Sequence, residues 1–273
     1  MKKYEFTGET KELITESGTI ILHRIRAIID FGHVKAGDLG GWIEKEKNLS
    51  HEGKAWIYGN AKVCDDAEVY DNAKVYDNAK VYDNAKVCGD AEVYDNAKLC
   101  DNAKLCGNAK VWGDAKVWGY AKVYGNAKVC DDAKVCDNAE VYGNAKVYGN
   151  AKVYSIATVY DNAKVCGDAE VYSNATVCGY AKVCGNATVC GQADVFSATH
   201  ILVIGPIGSR NAFTTFYRDK DNEITVKCGR FFGTIDKFLE RVAQTHGDSK
   251  YARVYRAAAE IARLQIMEGG GKA

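Results

Sequence analysis

The residues best suited to chemistry lie in the last quarter of the chain. Gly205-Pro-Ile-Gly-Ser-Arg-Asn211 is a turn-forming segment able to present backbone N–H groups, with Ser209 and Arg210 beside them to hold an anion. Asn211, Thr214, Thr215 and Arg218 follow closely, and His246 precedes a helix start. As a set they read as a site for a phosphate or nucleotide-like ligand. The same segment also reads as a tight strand-to-hairpin connection with Arg210 in a salt bridge. Neither the phosphate-loop nor the dinucleotide-binding fingerprint is present.

Cysteine is the other reactive residue in quantity. Ten of the eleven occupy one repeating position that elsewhere holds Tyr or Trp, and Cys228 stands apart. Free exchange of Cys for Trp argues against a packed interior, where such a volume change costs several kcal/mol. This column is therefore expected to point outward or to sit at a corner. Cys88 and Cys106 are 18 residues apart, as are Cys166 and Cys184. Stacked coils would bring each pair within disulfide reach, and a reducing cytosol would keep them as thiols. No His lies among these cysteines, so no metal site is expected.

These residues are positioned by a repeat. Alanine recurs every six residues from Ala55 to Ala193, and two residues later stands Val, replaced only by Ile57, Leu99 and Leu105. The unit reads Ala-Lys-Val-Tyr-Asp-Asn. Alternation along a strand puts Ala and Val on one face and Lys and Tyr on the other. The Asp-Asn or Gly-Asn pair that follows is turn chemistry. One hexad cannot bury its own apolar face, so copies must stack as a solenoid. Three hexads make a triangular 18-residue coil, and the repeat is long enough for about eight coils, or roughly 38 Å at ~4.8 Å per coil. Lys–Tyr ladders with cation–π contacts are expected on the outer surface.

The chain divides into a β cap at 1–50, a solenoid at 51–198 and a small α+β domain at 199–273. In the cap, Lys3–Thr7 and Thr19–Ile29 read as strands. Gly40 and Gly41 mark a tight turn, and Trp42 is large enough to plug the open core. The C-terminal domain reads as a strand from Thr199 to Ile204, a hairpin (212–218 with 223–228) and two helices. The first helix starts at Thr234, and the second runs from Asp248 or Ser249 to about Met267. That last helix carries Tyr251, Val254, Tyr255, Ala258, Ile261, Ala262 and Ile266 on one stripe. Gly269–Ala273 reads as a loose tail.

Net charge is zero, but 55–196 carries −4 and 197–273 carries +4. That balance suits neither a basic nucleic-acid groove nor an acidic DNA mimic. No apolar run of about 18 residues spans a membrane. With no apolar signal segment at the N-terminus, the cytoplasm is the expected compartment.

The string DFGHVKAGDLGGW (Asp30 to Trp42), followed by Asn48-Leu-Ser and Trp56-Ile-Tyr-Gly-Asn-Ala, resembles the start of YdcK-like hexapeptide-repeat proteins. The resemblance implies a left-handed parallel β-helix, a link to phages and prophages, and an acyltransferase label. Trimers are common in that fold. Hexapeptide acyltransferases use a His base on a solenoid face and an inserted loop for the acyl donor. Here no His lies between His51 and His200, and no loop interrupts the hexads. The three His ligands of a γ-class carbonic anhydrase are missing too.

Three functions follow. The first is a non-enzymatic scaffold or interaction protein, with the C-terminal domain binding a protein partner or self-associating. The second is a small-ligand or nucleotide-binding protein using Arg210 and its neighbours. The third is a degenerate or genuine acyltransferase. No catalytic residue, metal or cofactor is assigned. A protein partner or a small anionic ligand is expected, and a nucleic acid or a membrane is not.

Overall fold

The computed structural model describes residues 1–15 and 18–268, so the expected tail at 269–273 lies outside the described residues. The chain forms two compact units, Met1–Asn144 and Ala145–Ala273. The protein is mainly β: a parallel β-solenoid, with a small antiparallel sheet and two helices near the C-terminus.

In the first unit, β1 (Tyr4–Thr15) and β2 (Gly18–Ala27) form an antiparallel hairpin, and β3 (Leu39–Ile43) pairs with β2. Fifteen two-residue rungs follow, from Trp56–Ile57 to Glu140–Val141. They pair in parallel at the expected 18-residue interval, Lys62 with Lys80 and Val63 with Val81. Every Ala and every aliphatic residue of the two inner columns in this unit is fully buried.

Each corner places its first residue in the left-handed region, where an L side chain costs about 1–2 kcal/mol. Asp carries that cost in part by hydrogen bonding. The Asp71 carboxylate accepts from Gly89 N at 3.1 Å, and the Asp101 carboxylate accepts from Gly119 N at 2.9 Å. The backbone N–H at the corner of the next coil thus finds a partner. The Ala N–H closes the turn onto the carbonyl three residues back, as in Ala73 to Tyr70 at 3.2 Å.

The outer columns differ from expectation. Aromatic rings stack on one another, with Tyr58–Tyr76 at 4.7 Å and Tyr124–Tyr142 at 4.8 Å. Several lysine heads reach Glu on a neighbouring coil instead of a ring, in Lys86–Glu68, Lys110–Glu92 and Lys122–Glu140. These exposed pairs contribute less than about 1 kcal/mol each.

Trp42 does not plug the core. It pairs with Lys62, so it stands on the outer face, where it packs under the hairpin with Leu22 and Cys64. Arg24 lies 5.2 Å from its ring. The core is closed by Ile43, aligned with Val63, and by Leu49, bridged to Val69, both fully buried. Gly41 therefore takes the alanine position of an earlier turn. A Cβ there would meet Ile57 Cγ2 at 2.5 Å, and one on Gly40 would meet Trp56 Cζ2 at 2.6 Å. Buried polar groups bind the carbonyls this cap exposes: Lys3 Nζ donates to Ala55 O, and Asn48 Nδ2 donates to Ala67 O.

In the second unit, nine rungs run from Lys146–Val147 to Asp194–Val195. A four-stranded sheet follows: β4 (Ile201–Ile207), β5 (Ala212–Arg218), β6 (Ile224–Cys228) and β7 (Phe231–Thr234). Strand β7 falls where the sequence suggested only a connection. Helices α1 (Ile235–His246) and α2 (Lys250–Arg263) pack on this sheet. The buried stripe of α2 is rotated from the expected one. Ala252 and Ala259 face the sheet, while Val254 and Ile261 are exposed, because alanine permits the closer approach.

Strand β5 caps the solenoid rungs of this unit. Thr215 Oγ1 accepts from Thr188 N at 3.0 Å, and Tyr217 donates its hydroxyl to Cys190 O at 3.0 Å. His200 is buried beside Phe196, and its Nδ1 has no partner among the described residues.

Two expectations follow. Replacing Asp101 by Ala should destabilise the fold by roughly 1–3 kcal/mol, and by Gly clearly less, since Gly loses only the hydrogen bond. Equal losses in denaturant titrations would refute the left-handed corner as the cause. Burial, and then the Arg218 charge, hold the His200 pKa below its ordinary value. The unfolded chain therefore takes up the proton first, so stability is complete above about pH 6.5 and falls as pH drops below it. His51, also lowered by burial, acts in the same direction. His200→Gln should flatten this acid-side slope in melts between about pH 5 and 7.

Candidate functional site

Two turns of the four-stranded sheet and the two helices packed on it line a cleft of about 520 Å³. Ser209 and Arg210 come from the β4–β5 turn, and Arg230 from the β6–β7 turn. Arg241, Thr245 and His246 come from the C-terminal half of α1. The floor is aromatic: Phe238 meets Tyr255 edge to face at 5.5 Å and lies 5.4 Å from Phe231.

The local sequence explains the placement. Gly208, in the left-handed region, lets the β4–β5 turn pass directly over the Tyr255 hydroxyl, where any Cβ would collide. Asn211, also left-handed, donates its backbone N–H to Gly208 O at 3.4 Å and closes the turn. Residue 210 is thereby turned toward the cleft.

No acidic side chain lines this cleft. Among the described residues, Arg210, Arg230 and Arg241 make no ion pair within the 4 Å range of a salt bridge. Three guanidinium groups and an imidazole thus line one cleft that holds no acidic side chain. The Tyr255 phenol is pushed up to about 12, by burial first and by Cys228 next, with Arg210 acting in the opposite sense. It stays protonated and can donate. Planar guanidinium forks suit phosphate or carboxylate oxygens, and the aromatic floor suits a flat apolar group.

Of the residues singled out from the sequence, Ser209, Arg210 and His246 line this cleft and the others do not. Thr214 is buried and donates to Cys228 Sγ at 3.2 Å. Thr215 is the rung cap described above. Arg218 lies over the Phe196 ring at 4.6 Å. Strand alternation and pairing turn these three away from the turn they follow. Arg230 and Arg241 were missed: the first sits in a segment without motif character, and the second on a helix read from its N-cap and its end alone.

The five histidines offer little else. His23 stacks on Phe6, His51 stacks on Tyr4 and accepts from Lys3 N, and His200 is buried. His33 is exposed beside a shallow polar hollow with Lys54, Tyr58 and Asp90. Only His246 opens onto the cationic cleft.

The cysteine column is half-buried and in places sealed. Cys64 lies under the hairpin, and Cys190 lies against Tyr217. Cys166 and Cys184 form a disulfide with Cα atoms 4.5 Å apart, instead of remaining thiols as expected. One coil step falls inside the disulfide window, so the stacking itself brings the sulfurs together. Asp83, Cys100 and Asp101 cluster at a corner. The Asp83 carboxylate there accepts from the Asp101 backbone N–H, which gives it a structural use.

No helix among the described residues is long and apolar enough to cross a membrane. No family model matches the chain. A stretch of 62 residues, 21% of this chain, is 44% identical to the uncharacterized acetyltransferase YdcK of Escherichia coli (strain K12). That stretch is 19% of the relative, so the match spans about a fifth of its length. The expected similarity to YdcK is thus found, and with it goes the parallel β-solenoid expected of hexapeptide repeats.

Proposed function

We propose that this protein is a β-solenoid scaffold whose C-terminal domain binds a small phosphate-bearing ligand with a flat ring, of the nucleotide class. The observation behind this reading is the convergence of Arg210, Arg230, Arg241 and His246 on a cleft without acids and with an aromatic floor. Hydrogen bonds to charged groups contribute about 1.5–3 kcal/mol each, so two arginine forks suffice for micromolar binding when the floor adds apolar contact. The rungs carry no inserted loop, His23 and His51 are stacked on aromatic rings, and His200 is buried, which favours ligand recognition by the C-terminal domain.

The name of the relative favours a second reading, acyl transfer from an acyl-coenzyme A. Coenzyme A carries phosphates and an adenine ring and falls in the same chemical class. His246 would then serve as the general base.

Native mass spectrometry of purified protein, with thermal-shift titration of nucleoside mono- and diphosphates and acetyl-coenzyme A, tests both readings. A bound phosphate-bearing mass or a saturable shift is expected. Arg210→Ala and Arg241→Ala should each weaken binding about tenfold or more. Turnover of acetyl-coenzyme A that is lost in His246→Ala would select the second reading. A clean chain mass, and no shift with any of these compounds, would overturn both and leave a scaffold for protein partners.

A further inference from the structure

The outer column of one solenoid face in the first unit reads Tyr70, Cys88, Cys106, Tyr124. Cys88 and Cys106 are the only free cysteines separated by one 18-residue coil. Their rungs pair directly, Lys86 with Lys104 and Val87 with Leu105. Cys88 N donates to Leu105 O at 2.9 Å, which fixes the two residues one above the other. Cys166 and Cys184 stand in the same relation, with Val165 paired to Val183, and are bonded at a Cα separation of 4.5 Å. Closing a bond between Cys88 and Cys106 therefore needs no change of backbone register. Both are half-buried, unlike the sealed Cys64, Cys178 and Cys190.

The two sulfurs are not equivalent. Tyr70 stands one coil before Cys88 in the same column, its rung paired to that of Cys88 through Val69 and Val87. The neighbouring Cys106 thiol chiefly holds the Cys88 thiol down to about 6, Tyr70 and Lys104 act in the same sense, and burial and Asp71 oppose. Cys106 is pushed up, first by the Cys88 sulfur beside it and then by burial. Cys88 is thus the easier of the two thiols to ionise and Cys106 the one that holds its proton, the division found between attacking and resolving thiols.

We propose that Cys88 and Cys106 form a dithiol site that reduces small-molecule disulfides, Cys88 attacking and Cys106 resolving. The Cys88 thiolate attacks one sulfur of RSSR. The S–S bond breaks, RS⁻ leaves, and Cys88 carries a mixed disulfide. Cys106 then loses its proton to water and attacks the Cys88 sulfur, and the second RS⁻ leaves. The protein gives up two electrons and gains one disulfide. RSSR takes those electrons and ends as two thiols once protons are added. This site lies apart from the C-terminal cleft and does not depend on its reading.

The test uses the full chain, gently reduced and freed of reductant, then exposed to glutathione disulfide and quenched with N-ethylmaleimide. Lys98 and Lys104 let trypsin separate the two cysteines, so peptide mass mapping reports each one. The wild type should yield a linked Cys88–Cys106 peptide pair. Cys106→Ser should retain one glutathione on Cys88. Cys88→Ser should react at Cys106 about tenfold more slowly or less, as expected of a protonated thiol. Circular dichroism confirms that each variant keeps its β signature. In the unmutated protein, limited iodoacetamide should label Cys88 ahead of Cys130 and Cys136, which requires no variant to fold. An unlinked wild type, an adduct on Cys106 instead of Cys88, or Cys88 labelled no faster than Cys136 would overturn the proposal.

Discussion

Coil-on-coil stacking is the constraint on which the rest depends. Each turn must put three short rungs one strand spacing from the next turn, with two small apolar columns filling the interior. Alanine and valine fill most levels of the triangular core, and Ile57, Leu99 and Leu105 take the valine place at three of them. The corners must turn within two residues, which forces a left-handed conformation at the first. Gly accepts it freely. Asp accepts it because its carboxylate is then aimed at a backbone N–H of the neighbouring coil. The corner chemistry and the core are therefore one requirement.

A stack of this kind leaves its end coils with open backbone groups and exposed apolar surface. The two units meet that problem differently. In the first, Gly41, Ile43 and Leu49 continue the inner columns, while Lys3, Tyr4 and Asn48 bind carbonyls from the side. In the second, the β5 side chains Thr215 and Tyr217 reach the backbone of the Thr188 rung and Cys190. The four-stranded sheet thus serves as a cap, and its turns and helices still hold a cleft. Its residues divide accordingly: those facing the rungs are structural, and the arginines in its turns line the cleft.

The outer columns are released from packing, and chemistry can collect there. Ring stacking and Lys–Glu pairing use much of that freedom without a specific outcome. Where two cysteines fall one coil apart, the same spacing that stacks tyrosines brings sulfurs together. A repeat that tolerates Tyr, Trp or Cys at one position thus acquires paired thiols whenever two adjacent coils both hold Cys.

The sequence by itself determined the solenoid, because a six-residue period of Ala and Val has one way to bury its apolar face. It also determined the corners and the helices of the C-terminal domain, since those rest on local residue chemistry. It was misleading where contacts are distant. Trp42 looked like a core plug by size, yet strand pairing set its face. Thr214, Thr215 and Arg218 looked like ligand groups by proximity to Arg210, yet β alternation turned them inward or onto the rungs. Only the tertiary structure could bring Arg230 and Arg241 to Arg210. They come from three separate elements, and no local spacing records which turns and helices will face one another.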